Sequence, residues 1–371
     1  MSVPAKSSPA HSRPRPTTGR PYLDTKLRDL VASAEVGACA PLVEEILCTA
    51  LHMGRDGLSE ADLKLISRSL KEMRQAARVF HQYKHRMKIS IFGSARTPVE
   101  APEARVAVEF ARRMREAGYM IITGGGDGIM GAAQAGAGRE ESFGLNIRLP
   151  FEQRANPVIE GDQKLINFNY FFTRKLNFIK ESHAVALLPG GFGTLDEGFE
   201  SLTLMQTGKA RLIPLVLLDR PGGTYWKTMM RFITDHLLRL ELISPEDLNM
   251  FKICNDIDEA VDEVLQFYRV YHSSRYVGTQ LVIRLKATLS PRAVAKLAEE
   301  FVDILDERGI TQTQALEAEQ NEPEILHLPR LVLTPDRRSF GRLRLLIDGI
   351  NTSQTEVPVD VPRAKSNTAL A

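Results

Sequence analysis

The sequence predicts an α/β protein with a doubly wound parallel sheet, preceded by helices and followed by a small α+β module. Short, continuously apolar runs alternate with amphipathic stretches between about residues 88 and 270, and such runs indicate parallel strands buried on both faces. Three of these runs end in glycine-rich turns that lead into a helical pattern. Helical periodicity without strands precedes the region, and a different order of elements follows it. This combination is typical of a Rossmann-like domain.

The N-terminal part divides into a polar tail and a helical segment. Residues 1–22 are rich in Pro and Ser and carry Lys6, Arg13, Arg15 and Arg20 without any acidic residue. This composition predicts a disordered basic tail. In residues 23–87, apolar residues recur every three or four positions, and Ser59 stands where an N-cap is expected. The segment is therefore predicted to form two or three helices.

Residues 88–270 are predicted to form the parallel sheet and its helices. The expected strands are "KISIFGSA", "YMIITGGG", "FGLNIRLP", "HAVALLP" and "LIPLVLLD". The expected helices are "EARVAVEFARRMREAG", residues 129–138, "TRKLNFIKES" and a helix that begins near Thr194. The aromatic-rich stretch that precedes "TRKLNFIKES" is expected to be a loop.

The C-terminal part has a different order of elements. Residues 276–351 are expected to form a small module in the order β-α-β-β-α, which would suit a ferredoxin-like arrangement. The strands are expected at "QLVIRLK", "QALEAE" and "RLVLTP", and the helices at "SPRAVAKLAEEFVDILDERG" and "GRLRLLIDGIN". Residues 352–371 are polar and are expected to form a flexible tail.

Composition limits the class of protein. The chain has 48 Lys and Arg against 46 Asp and Glu, so no net field favours a nucleic acid or a membrane surface as partner. We find neither a signal-peptide core nor an apolar run of the roughly 18 residues that a membrane span needs, and we expect a cytoplasmic protein. The three cysteines lack CxxC spacing, so reduced structural thiols are expected rather than a metal site.

Glycine-rich turns follow three of the predicted strands. Glycine lets a backbone turn sharply and approach a ligand, and a helix that starts there presents free N–H groups and its positive dipole end. Because ligands bind at the carboxyl ends of such strands, we predict that these turns hold phosphate. The residues concerned are Gly93 and Ser94 in the first turn, Gly124, Gly125, Gly126 and Gly128 in the second, and Gly190, Gly191, Gly193 and Thr194 in the third.

The second turn contains a GxGxxG pattern, formed by Gly126, Gly128 and Gly131. This pattern raises an NAD-dependent oxidoreductase as an alternative. The turn follows the second strand of the domain rather than the first, and the chain has a further glycine turn of similar richness. The oxidoreductase is therefore the less favoured interpretation.

Three carboxylates follow the third turn. Asp196 is explained as an acid in the first turn of a helix, where the helix dipole favours it. Glu197 and Glu200 share a helix face one turn apart, and an acid beside a phosphate would repel it. We therefore predict that Glu197 faces a ribose, where it could accept hydroxyl hydrogen bonds, stabilise positive charge at the anomeric carbon or orient a water.

A basic pair, Arg174 and Lys175, stands near the start of a predicted helix. Cations oppose the helix dipole at this end, so the pair needs another partner. An arginine fork suits a phosphate or a carboxylate. The pair is therefore expected to serve either the ligand or Glu197.

The third turn and its acids resemble a known signature. "PGGFGTLDE" matches the PGGxGTxxE pattern of the LOG family, the cytokinin riboside 5'-monophosphate phosphoribohydrolases, and "GSAR", "GGGDGIMGAA" and "RK" stand upstream in the family's order. The resemblance implies hydrolysis of the N-glycosidic bond of a nucleoside 5'-monophosphate, without metal or other cofactor, in a dimer or tetramer. It also implies that Glu197 and Arg174 are needed for activity, and that Lys175, residues 190–194 and Thr203 contact the ligand.

The sequence leaves more than one possibility for the substrate and for the activity. Members of this family are often labelled lysine decarboxylases, but a pyridoxal phosphate enzyme of that type commonly has its Schiff-base lysine after a histidine, and this chain has no His-Lys pair. The chain is longer than the plant-type enzymes, and "FGLNIRLPFEQRANP" differs from their base-framing loop. AMP is therefore at least as good a substrate as a cytokinin nucleotide. A regulatory nucleotide-binding protein without turnover is the second hypothesis.

Overall fold

The computed structural model describes residues 15–149 and 154–359. Most of the predicted basic tail, and the end of the predicted flexible tail, lie outside the described residues. The chain forms two compact units that divide between Lys71 and Glu72. None of the described helices is long and apolar enough to cross a membrane.

Three helices precede the sheet, as the apolar periodicity predicted. They are α1 (Pro21–Ser33), α2 (Ala40–Arg55) and α3 (Glu60–His81). The hydroxyl of Ser59 accepts a hydrogen bond from the backbone N–H of Asp62 at 3.1 Å, which is the N-cap expected from the sequence. The division between the two compact units falls inside α3.

The central sheet has seven strands, all parallel, which confirms the doubly wound α/β prediction. Their order across the sheet is β4-β3-β2-β1-β5-β6-β7. The strands are β1 (Lys88–Phe92), β2 (Met120–Thr123), β3 (Ser142–Ile147), β4 (Leu165–Phe168), β5 (Ala184–Leu187), β6 (Leu215–Leu218) and β7 (Lys252–Cys254). The sequence did not predict β4, which lies in the expected aromatic loop, or β7. Both are short edge strands.

Five helices lie between these strands, and a sixth follows the last of them. They are α4 (Pro102–Glu116), α5 (Ile129–Ala137), α6 (Phe171–Glu181), α7 (Phe192–Gln206), α8 (Tyr225–Phe232), which continues as a π-helical segment (Ile233–Leu238), and α9 (Ile257–Phe267). Alternate residues of one strand point to opposite faces of the sheet: Ile89 and Ile91 enter one hydrophobic core, and Phe92 enters the other. The sheet is thus buried on both faces.

The strand order places three loops at one crevice. Strand β1 pairs with β2 on one side and with β5 on the other, so the chain direction across the sheet reverses at β1. Open α/β sheets bind ligands at such a reversal, beyond the carboxyl ends of the strands. The glycine turns after β1, β2 and β5 meet there.

The C-terminal module has a four-stranded antiparallel sheet in the order β10-β11-β9-β8. Its elements are β8 (Tyr271–Val277), β9 (Gln280–Leu285), α10 (Pro291–Glu300), β10 (Thr311–Thr313), β11 (Arg330–Leu333) and α11 (Phe340–Thr352). The module is α+β, as predicted. It begins with the hairpin β8-β9, so the observed order is β-β-α-β-β-α and the predicted β-α-β-β-α order lacks the first strand.

One strand of this module was predicted at the wrong place. The stretch "QALEAE" does not form a strand; it contains the short 3-10 helix Glu317–Glu319, and the strand lies just before it. The cause is a buried ionic cluster. The carboxylate of Glu319, fully buried, accepts hydrogen bonds from Arg284 at 2.9 Å and from Arg330 at 3.0 Å. If this stretch continued as an extended strand, the carboxylate of Glu319 would not reach Arg284 of β9 and Arg330 of β11.

Candidate active site

The three glycine turns surround a cavity of about 730 Å³ at the crevice beside β1. Its size lies in the usual range for small-molecule sites. Ten of the fifteen predicted site residues line it: Gly93, Ser94, Gly124, Gly126, Arg174, Gly190, Gly191, Gly193, Thr194 and Glu197. The other five lie outside its lining: Gly125, Gly128, Lys175, Glu200 and Thr203.

The third turn leaves the start of α7 open. The helix begins at Phe192, two residues before the expected start, with Gly191 as N-cap. A Cβ added at Gly191 or Gly193 would meet nothing within 4 Å, so a ligand can come close to this backbone. The first N–H groups of a helix lack intrahelical acceptors and carry its positive dipole end. The arrangement suits an anion.

The loops that form this edge are held together. The N–H of Ser94 donates to the carbonyl of Pro189 at 3.2 Å, and the hydroxyl of Tyr225 donates to the carbonyl of Gly190 at 2.6 Å. A Cβ at Gly190 would lie 2.2 Å from Oγ1 of Thr194. Only glycine fits at position 190, because any side chain would collide with Thr194.

The second turn is covered by its own helix. The side chain of Met130 would lie 2.7 Å from a Cβ at Gly124 and 3.0 Å from one at Gly126. Gly128 has a φ of +65°, and a Cβ there would lie 2.3 Å from the carbonyl oxygen of Ser94. The turn therefore presents a thioether to the cavity, whereas Gly128 serves the close approach of two loops.

Gly125 also serves the backbone rather than the cavity. It has a φ of +76°, which favours glycine. Its carbonyl accepts hydrogen bonds from the backbone N–H of Asn156 at 2.8 Å and from the side-chain Nδ2 of Asn156 at 3.0 Å. These bonds tie the second glycine turn to the segment after β3.

Glu197 and Arg174 form a buried pair at the cavity wall. Glu197 is on α7 and Arg174 is on α6. Nη2 of the arginine lies 3.4 Å from Oε1 of the glutamate. The side chain of Arg174 is 14% exposed and that of Glu197 is 5% exposed. Burial raises the pKa of Glu197 above the usual value of a glutamate, although Arg174 and then Lys175 lower it. Burial likewise lowers the pKa of Arg174, against the attraction of Glu197.

This geometry places a carboxyl group that can accept or release a proton at the wall of the cavity. A pKa raised by burial brings the group closer to the pH at which it would act. The neighbouring guanidinium favours the ionised form of Glu197. The pair therefore fits a general base or an electrostatic stabiliser of positive charge.

Lys175 joins α6 to α7 outside the cavity. Its Nζ lies 2.7 Å from Oδ2 of Asp196 and 2.6 Å from Oε2 of Glu200. Burial opposes the charge of this lysine, but the hydrogen bonds to both acids raise its pKa. Lys175 is thus an ammonium group held between two carboxylates. Further along α7, the hydroxyl of Thr203 donates to the carbonyl of Phe199 at 2.8 Å.

The cavity is also lined by three residues that were not predicted from the sequence and that carry a guanidinium, a thioether and an amide group: Arg96, Met130 and Asn146. Asn146 is the penultimate residue of β3, and its Nδ2 donates to Oδ1 of Asn167 on β4 at 3.0 Å. An amide side chain inside the otherwise largely apolar predicted strand "FGLNIRLP" was available as a signal. Its partner Asn167 was hidden because β4 was expected to be a loop.

Among the residues that the structure describes, no group of three or more His, Cys, Asp or Glu side chains is placed to hold a metal ion.

The fold and the site define a class of protein: an α/β protein with an open helix N-terminus beside a buried glutamate–arginine pair. Residues 130–264 match the model of a protein family described as "Possible lysine decarboxylase". This segment is thus similar to the LOG/lysine decarboxylase-like family, which agrees with the signature resemblance.

Two curated relatives come from rice, Oryza sativa subsp. japonica. "Probable cytokinin riboside 5'-monophosphate phosphoribohydrolase LOGL5" is 28% identical over 163 residues, which cover 43% of this chain and 63% of that protein. The corresponding LOGL3 protein is 29% identical over 169 residues, which cover 45% of this chain and 77% of that protein. The chain thus spans less than two thirds of the first relative.

Among solved structures, the molybdenum cofactor carrier protein from Chlamydomonas reinhardtii is 21% identical to this chain, with a TM-score of 0.35. The match covers 49% of this chain and 97% of that chain. A likeness of this degree carries no inference about ligand or activity.

Proposed function

We propose that the protein is a nucleoside 5'-monophosphate phosphoribohydrolase. It would hydrolyse the N-glycosidic bond of AMP, or of a related nucleotide such as a cytokinin nucleotide, to the free base and ribose 5-phosphate. The observation that carries the proposal is the buried pair of Glu197 and Arg174 on the same cavity as the open start of α7. The names of the two rice relatives point to the same reaction.

The 5'-phosphate is assigned to the third glycine turn. Gly191 and Gly193 leave the leading N–H groups of α7 accessible, and helix N-termini bind phosphate well. The second turn, covered by Met130, is better suited to the base, because a thioether makes favourable contacts with aromatic rings. Asn146 supplies a hydrogen-bonding amide at that end of the cavity.

Glu197 is assigned to the ribose and the bond that breaks. Water attacks the anomeric carbon, the bond from this carbon to the base nitrogen breaks, and its electron pair leaves with the base. The carboxylate accepts one proton of the attacking water and afterwards returns it to solvent, and the departing nitrogen takes up a proton from solvent. The negative charge of Glu197 also stabilises positive charge that develops on the sugar.

The contacts of Lys175 support this chemistry over decarboxylation. A Schiff-base lysine must be available as a free amine in the ligand site. Lys175 is protonated between Asp196 and Glu200 and lies outside the cavity lining. It orders α6 and α7 around the Arg174–Glu197 pair instead.

A substrate panel tests the proposal. Purified protein is incubated with AMP, CMP, GMP, IMP and UMP, and with the corresponding nucleosides, and free base is quantified by chromatography. We expect base release from at least one monophosphate and a kcat/KM at least about 100-fold lower for its nucleoside, because the nucleoside lacks the anion that α7 binds. Equal rates for nucleotide and nucleoside would refute the phosphate assignment. Tight binding without release would favour the regulatory alternative.

A further inference from the structure

Glu72, on α3, is a buried acid that the proposed chemistry does not use. Its side chain is only 7% exposed. Oε1 accepts hydrogen bonds from the backbone N–H of Asn169 at 2.9 Å and from its side-chain Nδ2 at 2.7 Å, and Oε2 accepts one from the hydroxyl of Thr173 at 2.5 Å. Both oxygens are thus committed to one short segment, at the start of α6.

The start of α6 lacks a cap of its own. The N-cap residue, Tyr170, makes no side-chain capping hydrogen bond, although the first N–H groups of a helix need acceptors or solvent. The carboxylate of Glu72 accepts from Asn169 just before the cap and from Thr173 in the first turn. It also places negative charge at the positive end of the helix dipole. The carboxylate of Glu72 thus leaves the first backbone N–H groups of α6 uncapped, but it ties Asn169, just before the helix, and the hydroxyl of Thr173, in its first turn, to α3.

The end of α3 that presents Glu72 is firmly held. Ala76, Val79 and Phe80 are buried in a core of the sheet, and the ring of Phe80 stacks on Phe143 of β3 with centroids 4.7 Å apart. Moving Glu72 would disturb this packing, because protein interiors are close-packed. The carboxylate is a fixed point rather than a mobile surface acid.

Arg174 directly follows Thr173 in α6, and its own bonds hold it weakly. Its guanidinium is 3.4 Å from Glu197, a long distance for a hydrogen bond, and its buried Nε has no hydrogen-bond partner among the described residues. The direction of this side chain therefore depends on the backbone of the first turn of α6. That backbone is what Glu72 holds.

We propose that Glu72 is a positioning residue that fixes the first turn of α6 and so places Arg174 against Glu197. The activity part of this inference rests on the proposed hydrolase function. Glu72 lies well before residues 130–264, the segment that matches the family model. The helix before the sheet thus contributes to the site through one side chain.

The test compares Glu72→Ala, Glu72→Gln and Val79→Ala with the wild type. We expect Glu72→Ala to lower kcat/KM for AMP by about 10- to 100-fold, because small misplacements of catalytic groups are costly. Glu72→Gln keeps an oxygen for Asn169 and should retain most activity. Val79→Ala removes core packing on the same helix without touching α6, so it controls for lost stability.

The pH profile separates positioning from general destabilisation. The charged groups that face Glu197 are Arg174 and Lys175 of α6 and Asp196 of α7. If Arg174 moves away, Glu197 loses an attraction that lowers its pKa, so the acidic limb of kcat/KM should move to higher pH in Glu72→Ala. Val79→Ala should leave the limb in place. An unmoved limb in Glu72→Ala, or an equal shift in Val79→Ala, overturns the inference.

Hydrogen exchange tests the inference independently of activity. In Glu72→Ala, the amides of residues 169–178 should exchange faster than in the wild type, whereas in Val79→Ala they should not be selectively affected. If Glu72→Ala does not fold, Thr173→Val, which removes the hydroxyl but keeps the shape, should show the same change to a smaller degree. Unchanged exchange overturns the positioning role. A wild type that releases no base refutes only the proposed function.

Discussion

At the scale of single residues, two opposing effects act on the pKa of Glu197. Burial favours its neutral form, and the guanidinium of Arg174 favours its carboxylate. The distance of 3.4 Å between them leaves the pair loose. A substrate that enters the cavity can therefore engage either partner without first breaking a strong ion pair.

This balance predicts the pH dependence of the reaction. In the proposed reaction Glu197 acts as a carboxylate. Burial raises its pKa, so kcat/KM should fall as the pH drops through a midpoint above the usual glutamate value of about 4.3. Rates with AMP measured across the acidic range give this midpoint. Stability at each pH is checked by circular dichroism. A kcat/KM that stays constant down to about pH 4 would contradict the assignment.

Met130 shows which part of the site the sequence could not predict. The glycine pattern placed all three turns at one edge, and the structure confirms that they meet there. From the sequence, the second and third turns were predicted to bind phosphate equally well. Only the packed structure shows that Met130, the second residue of α5, covers Gly124 and Gly126. The direction of a side chain across a turn cannot be read from the spacing of residues.

At the scale of elements, long apolar runs were predicted well and short edge strands were not. Strands β1, β2, β3, β5 and β6 coincide with the predicted runs, since a strand buried on both faces must be apolar throughout. Strand β4 alternates buried and exposed residues, and β7 has three residues. Neither leaves a clear pattern. The buried Glu319 likewise gave no signal, because its two arginine partners are distant in sequence.

The pairing of α4 with α5 gives a stability prediction. A Cβ at Gly136 of α5 would lie 2.1 Å from the carbonyl oxygen of Val108 of α4, so the two helices touch through this glycine. Gly136→Ala should destabilise the protein by roughly 1–3 kcal/mol, because it overpacks the interface. Chemical unfolding measures this cost.

Gly54 of α2 provides the matched control. A Cβ there would meet nothing within 4 Å, so Gly54→Ala should be neutral or slightly stabilising, given the better helix propensity of alanine. If the two substitutions changed the free energy of unfolding equally, the close contact at Gly136 would not contribute to stability.

At the scale of the whole molecule, five of the exposed large apolar side chains are on α6 and α7, the helices that carry the Arg174–Glu197 pair. They are Phe171, Phe172, Leu176, Phe192 and Phe199, and Phe192 is 92% exposed. Helices α6 and α7 are joined by the bonds of Lys175, so these side chains form a common region beside the cavity. Such a patch is typical of a protein interface. We propose that it joins copies of this chain into a homo-oligomer, as the family resemblance implies.

Leu176→Asp tests this surface. A charge at the centre of an apolar interface should dissociate the oligomer, because the buried carboxylate would lack a partner. Light scattering coupled to gel filtration gives the mass of each species. Val302→Asp, at a residue that is 70% exposed on the C-terminal module, is the control and should leave the mass unchanged. A monomeric wild type would refute the proposal.

In the proposed reaction, Glu197 catalyses hydrolysis of the N-glycosidic bond of a bound nucleoside monophosphate. The most direct measurement follows adenine and ribose 5-phosphate together when AMP is incubated with the wild type and with Glu197→Gln. We expect equal amounts of both products from the wild type and a loss of at least about 1,000-fold in kcat for the variant, which should still bind AMP by calorimetry. Adenine release that survives in Glu197→Gln would contradict the account.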